Sequence, residues 1–317
     1  MYKVAIIGAG QLGSRHLQGL KGAASPLAIT VMDSNDESLQ IAKERYEAVP
    51  EIGEKTINYV ISIQELPKEL DLVIIATGSR PRATIIKTLL NHASVKYLVL
   101  EKVLFPTLSD YDDIEKLLKE RQVRCWVNCP RRMYGMYKQI KETIDSSKPV
   151  YMTKAAENWG LCCNAIHMID IFMYLANENT YTIENKWLNK EIENSKRRGY
   201  IEMTGTLKIS TPNGSELTLI SENNFTGETN FIIENGSIRY RISEGEGFWL
   251  DYRKYNYAMP YQSQLTGLLA DEILKTGGCS LSPFICSIAY HRPFVKSMLE
   301  KYNEFTNNPQ NKLLPIT

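Results

Sequence analysis

The 317-residue chain has almost no charge imbalance. Its 37 Lys and Arg stand against 36 Asp and Glu, for a formal net charge of +1. A general nucleic-acid binder carries a basic excess or stripe, so that class is excluded. No apolar run approaches the ~20 residues that span a bilayer, and residues 1–2 lead straight into an apolar strand pattern. Neither a membrane span nor a signal peptide is expected. Cysteine is sparse, with six in the chain, no CxxC pair and no histidine neighbour at zinc spacing. Reduced thiols in a cytoplasmic protein are therefore expected, and no metal centre. There is no internal repeat and no low-complexity stretch.

What is present is an ordinary globular composition, 43% apolar and 23% charged, long enough to bury a large core. The length suggests two domains.

The most informative segment is the first 33 residues. Residues 3–7 are a short β-branched apolar run. They enter Gly8-Ala9-Gly10-Gln11-Leu12-Gly13, and residues 14–20 read as a helix. A second apolar run, 27–32, ends at Asp33, twenty residues after Gly13. This is the order of a dinucleotide-binding βαβ unit. Gly8 permits the tight turn, Gly10 lets the backbone approach a pyrophosphate, and Gly13 lets the helix pack closely on the strand. The helix N-terminus offers free N–H groups and a positive dipole end to phosphates. Asp33 accepts from a ribose diol and repels a 2′-phosphate, which favours NAD over NADP.

Strand and helix patterns then alternate. Helices are expected at 38–46, 63–70, 83–91 and 110–120, strands at 59–63, 71–77, 97–101 and 123–128, and a loop at 78–82. Alternation with continuous apolar strands implies a parallel sheet covered on both faces. After Asn128 the rhythm changes. Helices are expected at 133–145, 165–175, 263–275 and 287–305, with a strand at 150–154. Two hairpins follow, 201–210 with 216–221 and 231–233 with 237–242, joined by Asn-Gly turns. The fold class expected is α/β: a doubly wound parallel sheet in domain 1–125, then an α+β domain, 126–317, with a mostly antiparallel, open-faced sheet. The closing helices can pack back on the first domain. An open apolar face favours a homodimer or homotetramer.

With Glu101-Lys102 the chain resembles the glucose–fructose oxidoreductase / inositol dehydrogenase / MocA family of NAD(P)-dependent oxidoreductases. The resemblance spans nearly the whole length. It rests on the glycine motif with His16, on Ala76-Thr77, on Glu101-Lys102, on Asn128 with Arg131-Arg132, and on His167 and Asp170. It implies an NAD(P) site formed by Gly8, Gly10, Gln11, Leu12, Gly13, Asp33, Ala76, Thr77, Glu101 and Lys102. It also implies a Rossmann domain and catalysis by Lys102 and His167 on either side of a substrate carbinol. Two positions depart from the family pattern. Val103 stands where proline is usual and often cis. A non-proline cis bond costs ~3–4 kcal/mol, so a trans Lys102–Val103 bond and a slightly displaced Lys102 are expected. Cys163 replaces an aspartate that would orient His167, and Asp170, one turn on, is expected to substitute in part. Residues 158–167 (NWGLCCNAIH) also resemble a branch associated with bacterial surface-sugar gene sets, including nonulosonic acids.

Oxidising a secondary alcohol needs a hydride acceptor, a base and a donor to the oxygen. His167 suits the base. Taken alone it reads as a core histidine, and Lys102 alone reads as a solvated strand-end lysine. Asn128, Arg131, Arg132, Tyr134, Asn164 and Asp170 are expected at the substrate. The two arginines suit a carboxylate or phosphate and favour an anionic sugar acid or nucleotide sugar, although surface arginines at a helix start read the same way. Arg80 and Arg82, in the expected loop, are candidates for cofactor or substrate contact. Trp126, Tyr134 and Trp159 suggest either a stacking wall or plain core. The expected function is hydride transfer between NAD and a hydroxyl or keto group of a sugar, sugar acid, nucleotide sugar or cyclitol. Alternatives are a catalytically silent NAD-binding regulator and an NAD-dependent hydrolase or epimerase using transient oxidation.

Overall fold

A computed structural model describes residues 1–227, 229–250 and 252–317. The elements run β1 (Tyr2–Ile7), α1 (Gln11–Lys21), β2 (Leu27–Met32), α2 (Asp36–Glu47), β3 (Lys55–Val60), β4 (Glu69–Ile75), α3 (Ser79–His92), β5 (Ser94–Glu101), α4 (Leu108–Glu120) and β6 (Arg124–Asn128). They continue with α5 (Gly135–Thr143), β7 (Val150–Glu157), α6 (Leu161–Ala176), β8 (Thr182–Asn194), β9 (Ile201–Ser210), β10 (Glu216–Glu222), β11 (Asn230–Asn235) and β12 (Ile238–Ser243). The last are β13 (Gly247–Leu250), β14 (Arg253–Asn256), α7 (Gln262–Thr276), β15 (Ser282–Pro283) and α8 (Phe284–Thr306).

The chain divides into two compact units. One comprises Met1–Phe105, Asp112–Asn128 and Pro260–Phe284, the other Pro106–Tyr111, Cys129–Met259 and Ile285–Thr317. The first unit thus runs past position 125, because β6 continues to Asn128. The chain also returns to it with α7, which packs against α1, and with β15.

The first unit is a Rossmann-type sheet in the order β15-β6-β5-β4-β1-β2-β3, with β15 alone antiparallel. Its central strands are apolar on both faces because helices cover both. Val4, Ile6, Leu72, Ile74, Leu98 and Leu100 are all 0% exposed. Each such burial stabilises the sheet by roughly 1.5–3 kcal/mol. The helix α3 begins at Ser79, so the expected loop at 78–82 is its first turn. The Lys102–Val103 peptide is cis, not trans as expected. The buried Arg82 guanidinium donates to the carbonyls of Val103, Leu104 and Thr77 and so holds this segment from below.

The second unit is an eight-stranded sheet in the order β14-β13-β12-β11-β7-β10-β9-β8. All its pairings are antiparallel except β7 with β10. Side chains alternate regularly along β10 and β11. Met152, Leu207, Leu217, Leu219, Phe231 and Ile233 are buried on one face, and α6 packs against β7, β9 and β10. The register puts Tyr151, Thr153, Thr206, Thr218, Ile220 and Ile232 on the other, where Tyr151 is 44% and nearby Trp187 40% exposed. The strands β8, β13 and β14 were not expected from sequence. Among the described residues no helix is long and apolar enough to cross a membrane.

Candidate active site

The parallel topology brings the segments that follow β1, β2, β4 and β5 to one edge of the first sheet, the carboxyl edge where such sheets hold ligands. Gly8 leaves β1 with φ +95°, and a Cβ there would stand 2.9 Å from Thr77 Cγ2. A Cβ on Gly13 would lie 1.7 Å from the Gly8 carbonyl oxygen, so only glycine lets α1 rest on the strand end. A Cβ on Gly10 would meet nothing within 4 Å. No side chain caps α1, so the N–H groups of its first turn, at Gln11, Leu12 and Gly13, face that open space with the positive end of the helix dipole. The Gln11 side chain is held by Arg45 at 2.9 Å.

Asp33 leaves β2 fixed at both oxygens. Oδ2 accepts from the Ala9 N–H at 2.7 Å and Oδ1 from the Asn35 N–H at 3.0 Å. Each oxygen keeps a lone pair for a diol. Ala76 donates its N–H to the Ile7 carbonyl at 2.8 Å, which ties the β4 loop to β1. Thr77 Oγ1 is buried and has no hydrogen-bond partner among the described residues. A backbone cradle that a Cβ would fill, an uncapped helix end and a buried hydroxyl awaiting a partner together fit a dinucleotide.

Lys102 follows β5, half-buried, at the same edge. Its neighbour Glu101 was expected to touch the cofactor and Asn128 the substrate. Both are instead buried and joined to each other. Glu101 Oε1 accepts from Asn128 Nδ2 at 2.5 Å and pairs with His16 Nε2 at 2.9 Å. His16 Nδ1 meets Thr266 Oγ1 at 3.0 Å, and Asn128 Nδ2 also reaches Gln262 at 3.0 Å. Burial opposes the charge on Glu101, but the His16 and Asn128 bonds and the Lys102 charge hold its pKa below the usual carboxylate range. His16 therefore anchors the strand end that carries Lys102, with α7 as the outer support. Arg82 is fully buried and structural, not a ligand contact. Trp126 is core, tilted against Tyr97 at 6.0 Å.

In the second unit, α6 presents Cys163, Asn164 and His167 as the accessible positions of its first two turns, while the residues around them are buried. His167 is half-buried on this stripe. Asn164 donates its amide to the Trp159 carbonyl at 2.8 Å, and Trp159 Nε1 donates to the Ile220 carbonyl at 2.7 Å. These bonds fix the entry to the helix. Asp170 was expected to substitute in part for the absent aspartate. It is 1% exposed and accepts from Arg132 Nε at 2.7 Å. The carboxylate that reaches the start of α6 comes from Glu202 on β9, which sequence reading did not single out. It accepts from the N–H groups of Cys162 at 2.8 Å and Cys163 at 3.3 Å. Burial raises the pKa of Glu202 despite those bonds.

Arg131 and Arg132 are both engaged within the chain. Arg131 forms a fork on Glu244, at 2.6 Å and 2.8 Å, and Tyr137 also donates to Glu244 at 2.9 Å. Arg132 lies over the rings of Tyr174 and Tyr290 while bound to Asp170. Burial works against the charge of each arginine, yet its carboxylate partner raises its pKa overall. Tyr134 is buried, and burial raises the pKa of its phenol. Among the described residues no group of three or more His, Cys, Asp or Glu is arranged to hold a metal ion.

Residues 2–129 match the model of an oxidoreductase family with an NAD-binding Rossmann fold, GFO_IDH_MocA. Among solved structures the chain is similar to an oxidoreductase from Agrobacterium radiobacter in complex with NAD+, L-tartaric acid and magnesium. That similarity has 16% identity and a TM-score of 0.68, over 96% of this chain and 97% of that one. Biliverdin reductase from Synechocystis sp. PCC 6803, in complex with biliverdin and NADP+, matches at 15% identity and TM-score 0.68, over 94% and 98%. A UDP-N-acetylglucosamine 3-dehydrogenase from Acidithiobacillus ferrooxidans matches at 13% identity and TM-score 0.67, over 95% and 97%. These likenesses establish a shared fold. No curated protein matches the chain.

Proposed function

We propose that this chain, an NAD(P)-dependent oxidoreductase of the Gfo/Idh/MocA family by its N-terminal domain, uses NAD to oxidise a hydroxyl group of a carbohydrate-type substrate or to reduce the matching ketone. The observation that carries this reading is the dinucleotide cradle of Gly8, Gly10, Gly13 and Asp33 on the same sheet edge as Lys102. NAD, held by Gly8, Gly10, Gly13 and Asp33, would supply the hydride acceptor for the carbinol carbon. His167 takes the hydroxyl proton, and Lys102 donates to the oxygen and stabilises its developing charge. The UDP-N-acetylglucosamine dehydrogenase among the similar folds supports a sugar derivative. The free thiols of all six cysteines support a reducing, cytoplasmic setting. A panel of sugars, sugar acids, nucleotide sugars and cyclitols, assayed for NADH formation, tests the reading. No turnover of any member in either direction, with NADH bound normally, would refute it.

NAD is the expected cofactor rather than NADP. A 2′-phosphate beside the Asp33 carboxylate costs at least ~1–2 kcal/mol by charge repulsion. Fluorescence titration should show NADH binding more tightly than NADPH, and Asp33→Ser should narrow the gap. Equal or tighter NADPH binding rules the preference out.

The protein is also expected to be a homo-oligomer joined through the open face of the second sheet. That face carries Tyr151, Trp187, Ile220 and Ile232, an apolar set of the kind that marks subunit contacts. Sedimentation at micromolar concentration checks this; a lone 36.2 kDa species would contradict it.

A further inference from the structure

One lysine of the second unit stands where its strand has no structural use for a charge. Lys154 lies on β7 in register with Leu219 of β10 and Phe231 of β11, both buried. The alternation along β7 puts it on the same face as Val150 and Met152, each 1% exposed. Lys154 itself is half-buried, so its ammonium group loses part of its hydration. The fold replaces little of it. Lys154 Nζ lies over the Phe231 ring, 5.5 Å from its centroid, but among the described residues it has no hydrogen-bond or ion-pair acceptor.

The charges that bear on Lys154 are Glu244 and Arg131. Burial lowers the lysine pKa, Glu244 opposes the fall and Arg131 adds to it. Glu244 is already engaged by the Arg131 fork and by the Tyr137 hydroxyl. With Lys154 protonated, the three charged groups leave one positive charge uncompensated. Glu244 is bonded to Arg131, not to the lysine, and Arg132 is bonded to Asp170, so the lysine, and not either arginine, is the cation left for a ligand.

We propose that Lys154 recognises a carboxylate of the substrate. The proposal rests on the reading that the chain acts on a carbohydrate-type alcohol, and it narrows that substrate to a sugar acid. A single uncompensated charge matches a monoanion better than a diphosphate, which brings about two charges. Lys154 is thereby a specificity-determining residue, separate from Lys102 and His167.

The test uses full-length protein loaded with NADH, so that alcohols bind without being oxidised. Calorimetric titration compares hexuronates and hexonates with their neutral amides, which share every hydroxyl and differ in charge. The wild type should bind at least one carboxylate about 10–100-fold more tightly than its amide, the range of a charge-assisted hydrogen bond. Lys154→Met should abolish that preference and Lys154→Arg should retain part of it. Lys154→Met should also be at least as heat-stable as the wild type, because methionine fills the space without burying a charge. A less stable Lys154→Met protein would mean that the lysine serves the fold. No carboxylate preference in the wild type, or the same preference in Lys154→Met, overturns the proposal. So does a preference for UDP-sugars over all carboxylates that Lys154→Met removes. Carboxylate binding through Lys154 with no NADH production in any assay would instead sink the oxidoreductase reading and leave this one standing. NADH production from neutral sugars alone would do the reverse.

Discussion

Replacing Lys102 with methionine, or His167 with alanine, is expected to lower kcat/KM by about 10²–10⁴ each, the usual size of an electrostatic or general-base contribution. The two changes remove different parts of one step. Lys102→Met takes away the donor and positive charge at the reacting oxygen, while His167→Ala takes away the acceptor for its proton. NADH affinity should stay close to the wild type in both, because it rests on Gly8, Gly10, Gly13 and Asp33. Steady-state kinetics with the best substrate of the panel, alongside NADH titration, separates these effects. The pH profile adds a second readout. A wild-type limb set by the base should vanish in His167→Ala and persist in Lys102→Met. Near-normal turnover by His167→Ala would place the base elsewhere, and loss of NADH binding in Lys102→Met would make that lysine a cofactor residue.

Replacing Arg82 with methionine is expected to destabilise the protein by at least about 3 kcal/mol, since each buried carbonyl left without its donor costs ~1–3 kcal/mol. Three carbonyls depend on this guanidinium, those of Thr77, Val103 and Leu104. They belong to the two loops that carry Thr77 and Lys102, so the loss of stability should come with weaker NADH binding. Arg82→Lys should rescue little, because a single ammonium cannot reproduce the planar fork. Urea unfolding gives the stability change and fluorescence titration the affinity. A midpoint within error of the wild type would show that the carbonyls find other donors.

These two expectations differ in how far the sequence alone supports them. Lys102 was singled out because Glu101-Lys102, at the end of a run of buried-type residues, resembles a family motif; taken alone it reads as a solvated strand-end lysine. The structural role of Arg82 was not legible. In the sequence it lies among Gly78, Ser79 and Pro81 and reads as part of a polar loop. The structure makes Pro81 part of the first turn of α3, where its missing N–H removes nothing the helix needs, and turns Arg82 inward.

The sheets show the same division. The strands of the first unit were readable because burial on both faces leaves a continuous apolar run, and β9 to β12 because alternation and Asn-Gly turns are short-range signals. The strand β8 was not, although it is 13 residues long. It is an edge strand with register shifts against β9 and one buried side chain, Leu188. Charges lie on both of its faces, so the period-two signal is lost.

By itself the sequence determined the Rossmann unit, the glycine cradle, Asp33 and the change to an antiparallel second unit. Each depends on backbone conformation or side-chain periodicity over a few neighbouring residues. Only the tertiary structure decided which charges meet. It assigned Arg131 to Glu244, 113 residues away, and Arg132 to Asp170, 38 residues away. It buried Glu101 with His16 and Asn128, brought Glu202 to the start of α6, and left Lys154 without an acceptor among the described residues. A side chain's type is local, but its neutralisation depends on partners that only the folded chain brings within hydrogen-bond reach.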